Sequence, residues 1–361
     1  MAIIDGLQSG QVAYYFKVHH AVLDGQAGVL LSQAMFDVAP KPRALPRAAG
    51  VHAEHPGMAE LAAAALKHDA GQYIKLVRHL PDVVKSLAGL FGGASGGATK
   101  GRLGQNFSFG PKTPLNVPIT GERGFAAVSV PLDTLKQLAA AHEAKLNDIV
   151  LALCGGALRR YLAQHGGIPK KPLIATMPIS LRDAGNTEYT TQATLSLVNL
   201  NTQIADPVKR LRAIRDAAGA MKALAQRAKG VIPTDFPSIG VPWVLQGLAA
   251  LYGRSGLAGA MPPIANVVIS NVPGPQVPLY AAGARMAAYW PLSITEHGLG
   301  LNITVMSYAG AMGFGFTTAR CAVPDARELT AALLAALDEL LARSPAVART
   351  KKPRATAART R

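Results

Sequence analysis

Cysteine, aromatic side chains and acidic residues are all scarce in these 361 residues, and each scarcity closes off a class of protein. With only Cys154 and Cys321, the chain can build neither a disulfide framework nor a Cys-x-x-Cys pair, so a reducing interior is the expected compartment. Aromatics are 6% of residues, and no zinc-finger spacing or aromatic-rich binding motif accompanies the basic charge, so nucleic acid is not expected as a partner. Long apolar runs are missing too. The best candidate, Ile239 to Leu251, is short and broken by Pro242 and Gly247, so any membrane contact should be peripheral. The opening Met-Ala-Ile-Ile-Asp-Gly lacks the basic start and apolar run of a secretion signal, which points to a cytoplasmic location.

What the chain does have is apolar residues, 49% against 16% charged, which is enough for a large core and a surface richer than usual in apolar area. That balance turns the partner question toward lipids. The formal charge is +16, and removing Arg349, Lys351, Lys352, Arg354, Arg359 and Arg361 of the C-terminal stretch still leaves +10. Such a surface favours anionic partners, whether a phospholipid surface, a phosphate-bearing small molecule or nucleic acid, and the charge alone does not choose among them. The stretch 344–361 reads as a disordered basic tail.

Patterning predicts mixed strands and helices without regular alternation, an α/β (α+β) fold of two domains rather than a doubly wound sheet. Gln11 to Val18 reads as a buried strand and Met58 to Leu90 as a helix, followed by the Gly-rich passage 92–97. Val128 to Val130 reads as a strand and Pro131 to Lys145 as a helix. Another helix is expected from Asn147, taken as its cap, with one apolar face through Ile149, Leu153, Ala157 and Tyr161. Strands are expected over 172–177, 194–200, 266–270, around Tyr289, 301–308 and 312–318, the last two joined by the hairpin signal Ala309-Gly310-Ala311. Helices are expected over 207–228, near Trp243 and over 324–341.

The candidate chemistry lies in His19-His20-Ala21-Val22-Leu23-Asp24-Gly25. A neutral imidazole beside a hydroxyl can take its proton as the oxygen attacks a carbonyl carbon. His20 leaves the end of a strand, Asp24 can fix the following turn through a charged hydrogen bond, and Gly25 lets the backbone bend. By themselves these residues suit a strand cap or a metal-ligand set equally well.

The same string resembles the H-H-x-x-x-D-G signature of coenzyme-A-dependent acyltransferases, whose fold is like that of chloramphenicol acetyltransferase. Pro114-Leu115-Asn116, Asn147-Asp148-Ile149-Val150-Leu151, Pro178-Ile179-Ser180-Leu181-Arg182, Asn271-Val272-Pro273-Gly274-Pro275 and Leu301-Asn302-Ile303-Thr304-Val305 are similar to the bacterial wax ester synthase/diacylglycerol acyltransferase family. The likeness runs from about Gly6 to Leu340. It implies two chloramphenicol-acetyltransferase-like domains, residues 1–125 and 126–343 here, with the first incomplete at its N-terminus.

The resemblance also implies transfer of a fatty acyl group from long-chain acyl-CoA, as co-substrate, to diacylglycerol or a fatty alcohol, with no bound cofactor and no metal. His20 would be the base, His19 would support it, and Asp24 would hold the turn with Arg182 as its partner. Asn147 and Asp148 would belong to the active-site neighbourhood, Asn147 as an oxyanion donor or simply a helix cap. Asn271 and Gly274 would shape a turn, and Cys154 would be core. Peripheral association with the inner face of the plasma membrane or with lipid droplets follows from the lipid substrates and the basic charge.

Members of that family carry a sizeable segment before the histidines, and here only eighteen residues precede them. Exposed sheet edges and apolar helix faces are therefore expected in the first domain. Two other readings stay open: an inactive lipid-binding remnant, and transfer from a carrier-protein thioester.

Overall fold

Ten consecutive residues, Ile149 to Leu158, are all buried, and because they are helical the helix is enclosed on every side. The computed structural model describes residues 1–19, 28, 31–32, 34–44, 56–92, 109–180, 193–228, 247, 250–253, 255–256 and 262–344. His20, Asp24, Gly25, Arg182, residues 93–97, Trp243 and the 345–361 tail lie outside the described residues.

The described elements are β1 (Ala2–Ile4), β2 (Ala13–Tyr15), α1 (Met58–Gly92), β3 (Arg123–Pro131), α2 (Leu132–Ala141), α3 (Leu146–Gln164), β4 (Ile174–Ser180), β5 (Ala193–Asn199), α4 (Pro207–Ala228), β6 (Val267–Val272), β7 (Tyr280–Ala281), β8 (Ala284–Arg285), β9 (Leu301–Tyr308), β10 (Ala311–Ala319) and α5 (Arg327–Ala342). Six strands form one mixed sheet in the order β3-β10-β9-β6-β4-β5. β4, β6 and β9 run parallel, and the remaining pairings are antiparallel. The chain is thus an α/β protein, as the mixed pattern predicts.

One sheet face packs on helices. Phe314 and Phe316 of β10, Ile303 and Val305 of β9, Val267 and Ile269 of β6, Ala175 of β4 and Val198 of β5 join Leu151, Leu153 and Leu158 of α3 in a single core. The central helix touches α2, α4 and α5 as well as the sheet side, so its whole circumference is buried rather than the one face predicted. Small residues allow this closeness: a Cβ on Gly156 would lie 2.8 Å from Ala336 Cβ of α5. On the opposite face, Gly313 and Gly315 let the 289–291 backbone lie directly on β10, and Trp290 Nε1 donates to Ser129 Oγ at 2.9 Å. Tyr289 belongs to this covering segment and not to a strand, because the backbone it lies against is already paired on both sides by β3 and β9.

The β9–β10 hairpin turns on Ala309 and Gly310, both at positive φ, as a tight two-residue loop requires. Helix α2 starts one residue later than expected and stops at Ala141, with Glu143 at positive φ beyond its cap. The buried Asn116 ties the 109–119 segment to the sheet. Its Nδ2 donates to Gly298 O at 2.8 Å and to Ala265 O at 3.2 Å, and its Oδ1 accepts from Asn266 Nδ2 at 2.8 Å.

The N-terminal stretch is different. The expected buried strand over 11–18 shrinks to Ala13–Tyr15, paired among the described residues only with β1, and its tyrosines are exposed. A two-stranded ribbon has no second layer to cover it. An apolar anchor is Phe16, which packs on Phe36, Leu279 and Tyr308 at the C-terminal end of β9, with the Tyr14 ring edge-on to Phe36 beside it. Helix α1 continues through Pro81 and leaves Leu61, Leu66, Tyr73, Ile74 and Val77 exposed.

Candidate active site

The C-terminal ends of the three parallel strands β4, β6 and β9 lie side by side, and in open α/β sheets this is the end where ligands characteristically sit. Two of the residues marked by the sequence meet there. Asn147 stands in the first turn of α3, and Asn271 lies in β6 on the helix-covered face it shares with Val267 and Ile269. Asn271 Nδ2 donates to Asn147 Oδ1 at 3.4 Å. The other end of the Asn147 amide, Nδ2, donates to Met177 Sδ of β4 at 3.5 Å, and a thioether is a weak acceptor.

Two expectations are corrected here. Asn147 does not cap its helix, because Lys145 holds the N-cap position and helical backbone begins at Leu146. The stop comes from Asp148, a buried carboxylate that accepts the Lys145 backbone N–H at 2.8 Å and so ties the first turn to itself. Asn271 does not shape a turn. It is a strand residue, and Gly274, beyond the strand's end, serves close packing: its missing side chain leaves room for Ser307 O, 2.2 Å from where a Cβ would stand. Strand parity could have found Asn271, since Val267, Ile269 and Asn271 alternate along one face. Met177 carries no sequence signal of this kind; only the fold brings its sulfur to Asn147.

His19 is exposed on the stretch that follows β2, three residues beyond Phe16. Through Phe16 this stretch is anchored at the same sheet end as the asparagine pair, although the Phe16 cluster packs on Tyr308 rather than on the helix side. Cys154, inside α3, is fully buried, and burial pushes its thiol up to about 12, so it acts as a small core hydrophobe. Burial and the nearby Glu328 raise the Tyr161 phenol to about 12 as well. Burial pulls the Arg210 guanidinium down while it donates to Ile204 O at 2.9 Å and Ala205 O at 3.1 Å, which serves to hold the start of α4. No helix among the described residues is long and apolar enough to cross a membrane.

Comparisons with known proteins bear on the family and the fold. The "Wax ester synthase/diacylglycerol acyltransferase catalytic domain" description matches residues 1–150 and the "WS/DGAT C-terminal domain" description matches 191–341. The chain is 36% identical over 342 residues to a candidate diacylglycerol O-acyltransferase of Mycobacterium tuberculosis, Rv3740c, covering 94% of this chain and 72% of that protein. To the O-acyltransferase WSD of Acinetobacter baylyi it is 34% identical over 345 residues, covering 91% of this chain and 69% of the relative. The solved wax ester synthase/diacylglycerol acyltransferase of Marinobacter aquaeolei VT8 superposes with a TM-score of 0.61 at 26% identity, over 94% of this chain and 70% of that one. With the same fold, the same ordered strings and two relatives above 30% identity over most of their length, the chain belongs to the wax ester synthase/diacylglycerol acyltransferase family.

Proposed function

We propose that this chain moves a fatty acyl group from long-chain acyl-CoA to the hydroxyl of diacylglycerol or of a long-chain alcohol, with His20 as general base. The observation that carries the reading is the string His19-His20-Ala21-Val22-Leu23-Asp24-Gly25, inside the span that matches the family's catalytic domain. In this scheme the acceptor oxygen adds to the thioester carbonyl carbon as His20 takes its proton, a contribution typically worth about 100-fold to about 10,000-fold. The carbonyl then re-forms, the C–S bond breaks, and the proton passes to the departing CoA thiolate. No acyl-enzyme forms and no bound cofactor or metal takes part.

His19 supports the base, Asp24 with Arg182 holds the turn after it, and Gly25 lets that turn close. Asn147 donates to the oxygen on which charge develops, because a pre-aimed amide in a dry site strengthens as charge appears. Asp148 supports Asn147 by closing the helix turn. We take 1–125 and 126–343 as the two domains, a boundary that falls just inside β3, the first strand of the large sheet.

The substrates would be met at a lipid surface, peripherally, on the inner face of the plasma membrane or on lipid droplets. The exposed apolar residues of α1 and the net charge of +16 support this, at about 1 kcal/mol per basic residue near an anionic surface. Flotation with anionic vesicles should weaken when residues 350–361 are removed; unchanged flotation would remove the tail from the account.

The central test is His20→Ala. It should abolish CoA release from palmitoyl-CoA without lowering the melting temperature, since the ring is needed for the proton and not for packing. Turnover retained in that variant would refute the assignment.

A further inference from the structure

Beside Met177 the sheet holds a buried hydroxyl that no other group among the described residues uses. Ser196 of β5 is 4% exposed, and its Oγ has no hydrogen-bond partner among the described residues. It stands directly opposite Met177 in the antiparallel β4–β5 register. Side chains so paired share a face, with Cβ atoms about 4.5–5.5 Å apart. That face is the helix-covered one, because Ala175 and Val198, two residues away along each strand, both belong to the core under α3. Two donors therefore neighbour one thioether: Asn147 Nδ2 rests on its sulfur, and the Ser196 hydroxyl has no partner among the described residues. Cores seldom leave a buried hydroxyl unpaired without a reason.

The Asn147 carboxamide has a donating and an accepting end, and what it offers depends on which way it is turned. Asn271 settles that choice. By donating to Oδ1 it occupies the accepting end and leaves the N–H end facing Met177. Methionine suits a place that must be vacated: its side chain is unbranched and flexible, and its sulfur yields easily to a better acceptor. A developing oxyanion is such an acceptor, since hydrogen bonds to a charged oxygen are roughly twice as strong as neutral ones.

We infer that Asn147 and Ser196 are the two donors of a cradle for the carbonyl oxygen of the acyl substrate, that the Met177 side chain covers it at rest, and that Asn271 is the positioning residue that aims Asn147 into it. This rests on the acyl-transfer reading above. As the alcohol oxygen adds to the thioester carbon, the carbonyl π pair moves onto the oxygen held by the two donors. It returns when the C–S bond breaks.

The test measures kcat and KM for CoA release from palmitoyl-CoA by the full chain. Asn147→Ala should lower kcat by about 100-fold or more, and Ser196→Ala by at least about 10-fold, with KM little changed. Ser196→Thr, which keeps the hydroxyl, should recover most of the loss. Asn271→Asp can only accept, so it should turn the amide around and match Asn147→Ala, whereas Asn271→Ser can still donate and should stay near the wild-type rate. The double variant Asn147→Ala/Asn271→Asp should be no slower than Asn147→Ala alone. Melting temperatures serve as the folding control, and the Thr and Ser variants carry the comparison if the Ala or Asp variants are unstable.

A wild-type kcat in Ser196→Ala or Asn271→Asp, equal loss in Asn271→Ser and Asn271→Asp, or losses that multiply in the double variant would overturn the cradle. If Asn147→Ala itself turns over normally, the oxyanion role given to Asn147 above fails with it. A slow Asn147→Ala beside normal Ser196→Ala or Asn271→Asp sinks the cradle alone.

Discussion

Strand β10 and the stretch around β2 are built from the same kinds of residue and meet opposite fates. Phe314 and Phe316 are fully buried between the sheet and α3, while Val12, Tyr14, Tyr15 and Val18 are 41–51% exposed on a ribbon paired with three residues of β1. Strand propensity is similar in both, so burial is decided by what stands opposite: five further strands and four helices for one, a single short strand for the other. The chemistry divides along the same line. The proposed base follows the thinly covered stretch in sequence, and the amides that would meet the developing charge belong to the packed region.

That contrast can be tested by substitution. Phe314→Ala should be the most damaging change, costing about 3–5 kcal/mol in denaturant unfolding, because its neighbours in β3, β9 and α3 cannot collapse into the space. Tyr15→Ala, removing a comparably large ring from β2, should stay within about 0.5 kcal/mol; equal losses at the two sites would erase the distinction drawn here. Between them falls Asn116→Ala, at about 1–3 kcal/mol, since it takes the buried amide away from Ala265 O and Gly298 O and leaves Asn266 Nδ2 with Pro111 O alone. A loss at Asn116 no greater than at Tyr15 would mean that the 109–119 segment is not held as described.

How much could be read in advance follows from the same physics. Helix α4 and strand β9 match their predicted bounds, because basic helical patterning and an uninterrupted run of β-formers are local signals. The hairpin at Ala309-Gly310 was equally local. Tyr289 misled because an aromatic among apolar neighbours looks alike in a strand and in a segment lying flat on one. Asn147 misled because a residue one or two positions into a helix has a cap's composition, and only the Asp148–Lys145 hydrogen bond identifies the true start. Of the candidate site, the histidine string, Asn147 and Asp148 were legible as motifs. Met177 and Ser196 were not, since their meeting depends on the β4–β5 register and on α3 crossing above it.

The most direct measurement supplies labelled palmitoyl-CoA to the full chain with diacylglycerol or hexadecanol and separates the products. The account predicts label in triacylglycerol or wax ester, with one CoA released for each ester formed. Label that stays in palmitoyl-CoA, or appears only as free palmitate, would contradict it.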